Sequence, residues 1–370
     1  MPDYEGVARQ ILDVCINVKP DENVWINTWN SDLELGSVLA SESSKRGCQV
    51  LSTVQYEENW LHSISDSSVE TADVLPTRLA GALKDTDAYI FTVGPRIIPW
   101  DKIPADRRHL VTRWFNENNN FVREWKAIAK ARKVRMLGVE ATLASKERAD
   151  QLGLDYDEWK KVMFEGCLAD HIEISRHASN LSGPLAGDGR VRITSPHGTD
   201  FTFRLDRRQV DSFDGILRDE WVSIGRPGFL PAGGIEVSTN EESGQGTVVF
   251  DKPILSLLRE GRIEKLSLKI RQGRIVDSAA GIQQGAFKKW LVAGSGDSDR
   301  LGFFGFGLNH KLKHGFTQDD KTLGGVTLGF GDNRDKAGKN RSERGFWASM
   351  TGATVSIDDF VIMKHGRLLV

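Results

Sequence analysis

The sequence predicts an α/β protein: an N-terminal domain with a largely parallel sheet, followed by a C-terminal domain that is mostly β. Two observations carry this. Apolar strands alternate with helix-period segments as far as about Arg135 to Leu137, and short alternating strands joined by turn residues take over after about Ser182. The boundary is expected at 183/184, giving domains 1–183 and 184–370. At 370 residues with 39% hydrophobic content, each half has enough apolar material for its own core.

Taken in order, Val7, Ile11, Leu12 and Cys15 recur at helical spacing, and Val24 to Trp29 then reads as a buried strand. Ser31 and Asp32 are suited to cap a second helix through Leu39, and Arg46-Gly47 supplies its stop. A strand around Gln49 to Val54 follows, then one over Ala88 to Val93, a long helix from about Asp106 to Lys130, and a strand at Arg135 to Leu137. In the second half, Val191 to Thr194 and Phe201 to Leu205 flank the turn Pro196-His197-Gly198-Thr199 as a hairpin. Leu266 to Ile270 and Ile275-Val276 flank Gln272-Gly273 in the same way, and Asp359 to Met363 pairs with the closing Arg367 to Val370. There are no repeats, low-complexity tracts or long linkers, so the halves are expected to share an interface with a cleft.

Composition narrows the function. A net charge of -2, from 49 basic and 51 acidic residues, offers no basic surface for nucleic acid or anionic lipid, so neither is expected as a partner. Cys15, Cys48 and Cys167 lie far apart and are expected as buried thiols, without a metal or redox motif. The start is acidic where a signal peptide would be basic, and no apolar run reaches spanning length, so a cytoplasmic location is expected.

Most local features have a plain structural explanation. Gly294-Ser295-Gly296 has part of a phosphate loop but lacks the preceding βαβ unit and the following Lys-Ser/Thr. His310 and His314 have ligand spacing, yet sit among lysines and glycine and read as a solvated loop. Asp319-Asp320-Lys321 reads as a polar turn, and Ser182, Ser195 and Ser238 have no triad pattern around them.

The segment Pro196-His197-Gly198-Thr199-Asp200-Phe201-Thr202-Phe203-Arg204-Leu205 is different. With Val18 to Val24, Phe229 to Val237, Gly305 to Asn309, Asp319-Asp320-Lys321 and Leu323 to Asn333, it follows the order of the aminopeptidase T and aminopeptidase S type metallopeptidases. The chain is similar to that family over nearly its whole length, and the resemblance implies the family's two-domain fold, a homodimer and a pair of divalent metals such as zinc or cobalt. It also implies a set of metal ligands at particular positions. Glu236 retains the first glutamate, although Ile235 looks inserted. The next glutamate falls on Phe303, the acidic residue of the Asp-Glu-Lys motif on Asp320, the histidine of Gly-Thr-Val-His on Thr327, and the His-any-Asp pair within Gly345 to Ser349. No histidine lies between His314 and His365. Removing such ligands removes tight divalent binding and the low-pKa water that hydrolysis needs. The same losses weigh against the related iron-dependent pyridine-ring dioxygenases, which also use a His-any-Asp pair.

No cofactor and no catalytic residue are therefore expected, and Glu236 with Asp320 are the residual metal candidates. Phe303, Phe304, Phe346 and Trp347 would set aromatic surface where charged ligands stood, favouring an apolar or peptide-like ligand. The groove is expected to use Glu236, Phe303, Phe304, Thr327, Trp347 and Arg204. The function implied is a pseudo-aminopeptidase that binds a peptide or precursor and presents it to partner enzymes in a biosynthetic pathway. The alternative is an enzyme, either a metalloaminopeptidase or other hydrolase with a rearranged site drawn from Glu236, Asp319, Asp320, His310 or His314, or a metal-free acid/base catalyst.

Overall fold

The structure, a computed structural model, describes residues 2–111, 119–255 and 262–370. The chain divides into two units, one of Met1–Ala149, Tyr156–Leu168 and Gly215–Pro231, the other of Asp150–Asp155, Ala169–Asp214 and Ala232–Val370.

The first unit holds the parallel sheet. β1 (Asn23–Trp29) pairs on one side with β2 (Gln49–Gln55) and on the other with β3 (Ala88–Thr92), which pairs with β4 (Arg135–Val139), all parallel. β1 is buried along nearly its whole length, which is why it reads as a continuous apolar and aromatic run rather than an alternating one. Tyr89, Trp25 and Trp125 pack ring against ring over this sheet, Trp125 coming from the helix Asn120–Arg132. The first helix is Tyr4–Arg9, and its periodic apolar positions continue into a π-helical turn, Gln10–Cys15. The long helix expected over Asp106 to Lys130 is a short turn at Ala105–Arg107, a helix Arg108–Val111 and a separate helix Asn120–Arg132. The last starts afresh because Asn119 caps it, its Oδ1 accepting from the Val122 amide at 3.2 Å; residues 112–118 of that expected helix lie outside the described residues.

The chain then builds β5 (Arg190–Thr194) and β6 (Asp200–Phe213) of the second unit before returning to the first with β7 (Gly228–Leu230), parallel to β4. The first sheet thus runs β2-β1-β3-β4-β7. This differs from the single boundary at 183/184. The helix His171–Leu185 turns Ile174, Ala178, Leu181 and Leu185 into the core of the second unit, so a cut there would sever a helix from its own core.

The second unit continues with β8 (Gly234–Thr239), β9 (Gln245–Val249), β10 (Ser267–Arg271), β11 (Arg274–Ala279), β12 (Leu301–Gly307), β13 (Val326–Phe330), β14 (Phe346–Met350), β15 (Thr354–Ile357), β16 (Phe360–Lys364) and β17 (Arg367–Leu368). Their order is β14-β13-β12-β8-β6-β5-β15-β16-β17, with β9, β10 and β11 branching from β6. The expected hairpins are β5–β6, β10–β11 and β16–β17. A register shift between Leu205 and Val210 lets β6 serve β5 with its first part and β8 with its last. The predicted mixed fold, a parallel sheet plus a largely antiparallel sheet, is the fold observed.

Candidate functional site

In a strand, successive side chains alternate between faces, and residues directly opposite on neighbouring strands share a face. The registers of the second sheet therefore align Asp211 on β6, Glu236 on β8, Gly305 on β12, Thr327 on β13 and Ser349 on β14 in one row across five strands. A second row on the same face, two residues along, is Ser238, Phe303, Gly329 and Trp347. The intervening residues Ile235, Val237, Phe304, Phe306, Leu328 and Met350 point the other way and are fully buried in the core. One face of the sheet is core and the other carries this mixed polar and aromatic patch.

Glu236 is the centre of its charge. The carboxylate lies 3.6 Å from the ammonium of Lys336, which is 2.8 Å from Asp335 and sits 4.9 Å over the ring of Phe303. Burial pushes the Glu236 carboxyl up to about 7; Lys336 pulls it down, while Asp320, Asp335 and Asp211 push it further up. Asp211 is buried and accepts from the Gln209 amide at 3.1 Å. Gly305 leaves room for Glu236, because a Cβ there would come within 2.8 Å of the Glu236 Cγ. Likewise the ring of Phe303 lies on the bare Cα of Gly329. Thr327 and Ser349, both buried, join their hydroxyls at 2.8 Å.

Lys336 is placed by a buried clamp. Arg208 and Glu241, each with 6% side-chain exposure, form a two-pronged pair at 2.9 and 3.0 Å. Arg208 also donates to the Ala337 carbonyl at 2.8 Å, and Glu241 accepts from Asn333 at 3.1 Å and from the Lys339 amide at 2.7 Å. The segment carrying Lys336 is thereby tied to the sheet.

Of the residues expected from sequence, Glu236, Phe303, Thr327 and Trp347 share the patch face, and Trp347 is 48% exposed. Asp320, with Asp319, Trp347 and Ser349, lines an adjoining cavity of about 40 Å³. Phe304 is a correction. It is fully buried and packs edge-on against Phe203 and Phe306, because it is one residue out of phase with Phe303. Phe346 is core for the same reason, stacked on Phe330. Arg204 is also a correction as a groove residue: it lies in the β5–β6 hairpin, its guanidinium donating to the Asp188 carbonyl at 2.8 Å. His310 and His314 lie in turns, as expected, with the His314 Nδ1 3.6 Å from Asp319. Ser182 is bonded to the Ala178 carbonyl within its helix, and the Ser238 Oγ is buried with no hydrogen-bond partner. Sequence reasoning missed Asp211 and Lys336. An aspartate inside an alternating strand was a usable signal for the first; nothing local marks the second.

The donor set does not fit the metal pair that the resemblance implies. Among the described residues no three His, Cys, Asp or Glu side chains converge as ligands. In its row Glu236 has one carboxylate neighbour, Asp211, and on the other side a glycine and two hydroxyls, with two aromatic rings in the next row, and its own carboxylate faces an ammonium.

Comparison with known proteins places this arrangement. Wild-type AmpT from Thermus thermophilus superposes with a TM-score of 0.70 at 15% identity, over 99% of both chains. The 2,5-dihydroxypyridine dioxygenase from Pseudomonas putida KT2440 superposes with a TM-score of 0.65 at 15% identity, over 99% of this chain and 97% of that one. At such identities the likeness is one of fold, and the aminopeptidase resemblance read from sequence holds at that level. No curated protein sequence matches the chain. A family model does: NicX, 2,5-dihydroxypyridine 5,6-dioxygenase, matches residues 171–370, which contain the whole patch. The chain, with the fold of aminopeptidase T, belongs to the NicX family.

Proposed function

We propose that the protein is a ligand-binding member of its family that acts without a metal, holding a peptide or peptide-like molecule on the Glu236 patch. The observation that carries this is the row itself: Glu236, Gly305, Thr327 and Ser349 in register, with Phe303 and Trp347 beside them and Lys336 on the one central carboxylate. Aromatic rings on a sheet face supply contact area at low entropic cost, while a partly buried acid and an ammonium provide one acceptor and one donor for the ends or amides of a peptide. Presentation of the bound molecule to partner enzymes, from a homodimer in the cytoplasm, completes the proposal.

The test is elemental analysis of protein purified without chelators, together with incubation of the tripeptides Leu-Gly-Gly and Phe-Ala-Ala and of 2,5-dihydroxypyridine. Expected are negligible metal, intact substrates, and a thermal shift with at least one tripeptide that Trp347→Ala abolishes. About two metals per chain with amino-terminal trimming would overturn the reading in favour of a two-metal hydrolase. Bound iron with consumption of the pyridine would overturn it in favour of ring cleavage.

A second reading is favoured by one observation. A carboxyl pushed up to about 7 has the proton affinity of a general acid or base at neutral pH. On that reading Glu236 would take a proton from a small substrate and Lys336 would hold the developing anion. Turnover lost in Glu236→Gln while ligand binding persists would select it.

A further inference from the structure

The first unit carries a cavity of its own. In its sheet β1 lies between β2 and β3, so the chain's connections diverge from β1 in opposite directions. Such a switch point opens a crevice beyond the carboxyl ends of the strands. Here Asp32 follows β1, Arg96 follows β3 and Thr142 follows β4, and all three line a cavity of about 240 Å³ closed by Tyr156, Lys160 and Phe164 of the helix Tyr156–Cys167. That volume lies below the roughly 300–1,000 Å³ of sites for drug-sized ligands, so the occupant is small.

Asp32 is the telling residue. It stands at the N-cap of the helix Leu33–Lys45, yet its side chain makes no capping hydrogen bond. An N-cap aspartate ordinarily accepts from the second or third helical amide. Instead its Oδ2 is buried with no hydrogen-bond partner. Burial pushes this carboxyl up to about 6, against the pull of the Thr92 and Ser31 hydroxyls and of Lys160. A buried acceptor left without a donor is costly, and the missing donor is what a ligand would bring.

Three cations line the same cavity; Lys146 is exposed, and Arg96 and Lys160 are differently engaged. Arg96 is held by Glu57 at 2.9 Å and by Glu147 at 3.5 Å. Lys160 has a neutral partner, the Tyr156 hydroxyl at 3.2 Å, with its ammonium 5.6 Å over the Tyr156 ring. The neutral Tyr156 hydroxyl does not offset the Lys160 charge, which can pair with an anionic group in the cavity. An acceptor and a cation lining one cavity, with the Phe164 ring in its wall, describe a site for a small zwitterion with an apolar substituent.

We propose that this cavity binds a free α-amino acid, its ammonium donating to the Asp32 carboxylate and its carboxylate accepting from Lys160. The site is independent of the Glu236 patch and of the reading given to it.

Equilibrium dialysis of the full chain against each standard protein amino acid tests this, followed by the decarboxylated amine and the deaminated acid of the tightest binder. At least one apolar amino acid should bind, both single-charge analogues should bind at least about tenfold more weakly, and Asp32→Asn and Lys160→Met should each lose about tenfold or more, one recognition contact's worth. Circular dichroism melts confirm that the variants are folded; should Asp32→Asn fail to fold, Lys160→Met carries the test alone. Absence of binding by every amino acid at millimolar concentration, or binding unchanged in the folded variants, overturns the proposal. Analogues that bind as tightly as the amino acid overturn it too.

Discussion

Replacing Glu236 by Gln removes an ionisable group that folding makes hard to ionise, so its effect on stability must depend on pH. The carboxyl titrates at about 7 in the folded protein, against an ordinary value of 4.5, with burial as the main cause. A group whose folded pKa is raised is neutral in both states below the lower value, and there it costs nothing. As pH rises from 4.5 the unfolded chain ionises freely while the folded one resists, and stability falls until the folded carboxyl ionises too, near pH 7. At 1.36 kcal/mol per pH unit, the full penalty above pH 7 is about 3 kcal/mol. Gln has nearly the same shape and never ionises, and Lys336 keeps its 2.8 Å partner Asp335 when Glu236 is gone. Glu236→Gln should therefore stabilise the protein by about 2–3 kcal/mol at pH 8 and by less than about 1 kcal/mol at pH 5. Urea denaturation of both proteins at the two pH values gives the comparison directly. An equal effect at pH 5 and pH 8, or destabilisation at pH 8, would refute the account of Glu236 as a desolvated acid.

Three further outcomes are expected. Lys336→Met removes the cation that pulls the Glu236 carboxyl down, so the midpoint of that carboxyl, followed by NMR titration, should move above 7; an unchanged or lower midpoint would show that the pair is not coupled. Glu241→Ala leaves the buried guanidinium of Arg208 with Asp206 as its one remaining carboxylate partner, strips the Lys339 amide of its acceptor and takes one of two acceptors from Asn333; a loss of about 1–3 kcal/mol in denaturant unfolding is expected, and no measurable loss would count against the clamp. Gly329→Ala sets a methyl into the ring of Phe303 and should cost about 1–3 kcal/mol, and adding Phe303→Ala should relieve it; strictly additive losses in the double variant would mean the ring does not rest there.

How far the sequence reaches is clearest at particular residues. The strands β1 to β4 and the hairpin β5–β6 were legible because hydrophobic periodicity and turn residues are local signals, read within a dozen residues. Glu236 was singled out from the order of motifs around it, and it stands in β8 between Asp211 and Gly305 in the row. The phase of β12 was not legible: Phe303 and Phe304 look alike as aromatic replacements, and only the register against Ser238 and Val237 puts the first on the patch and the second in the core. Arg204 shared a strand with the site in sequence, but the shift between Leu205 and Val210 separates the hairpin from the part of β6 that bears Asp211.

By itself, then, the sequence determined the two kinds of architecture and the lack, among the described residues, of a helix long and apolar enough to cross a membrane; on the aminopeptidase resemblance it also put Phe303, Thr327 and the segment Gly345 to Ser349 where that family has metal ligands. Tertiary structure alone decided that the helix His171–Leu185 belongs to the second unit, that Asp211 stands beside Glu236, and that Lys336, about a hundred residues downstream, faces the same carboxylate. The physical reason is that composition and periodicity report each residue's preference for core or solvent. Which acid meets which cation, by contrast, depends on strand order and register, set by the packing of the whole sheet.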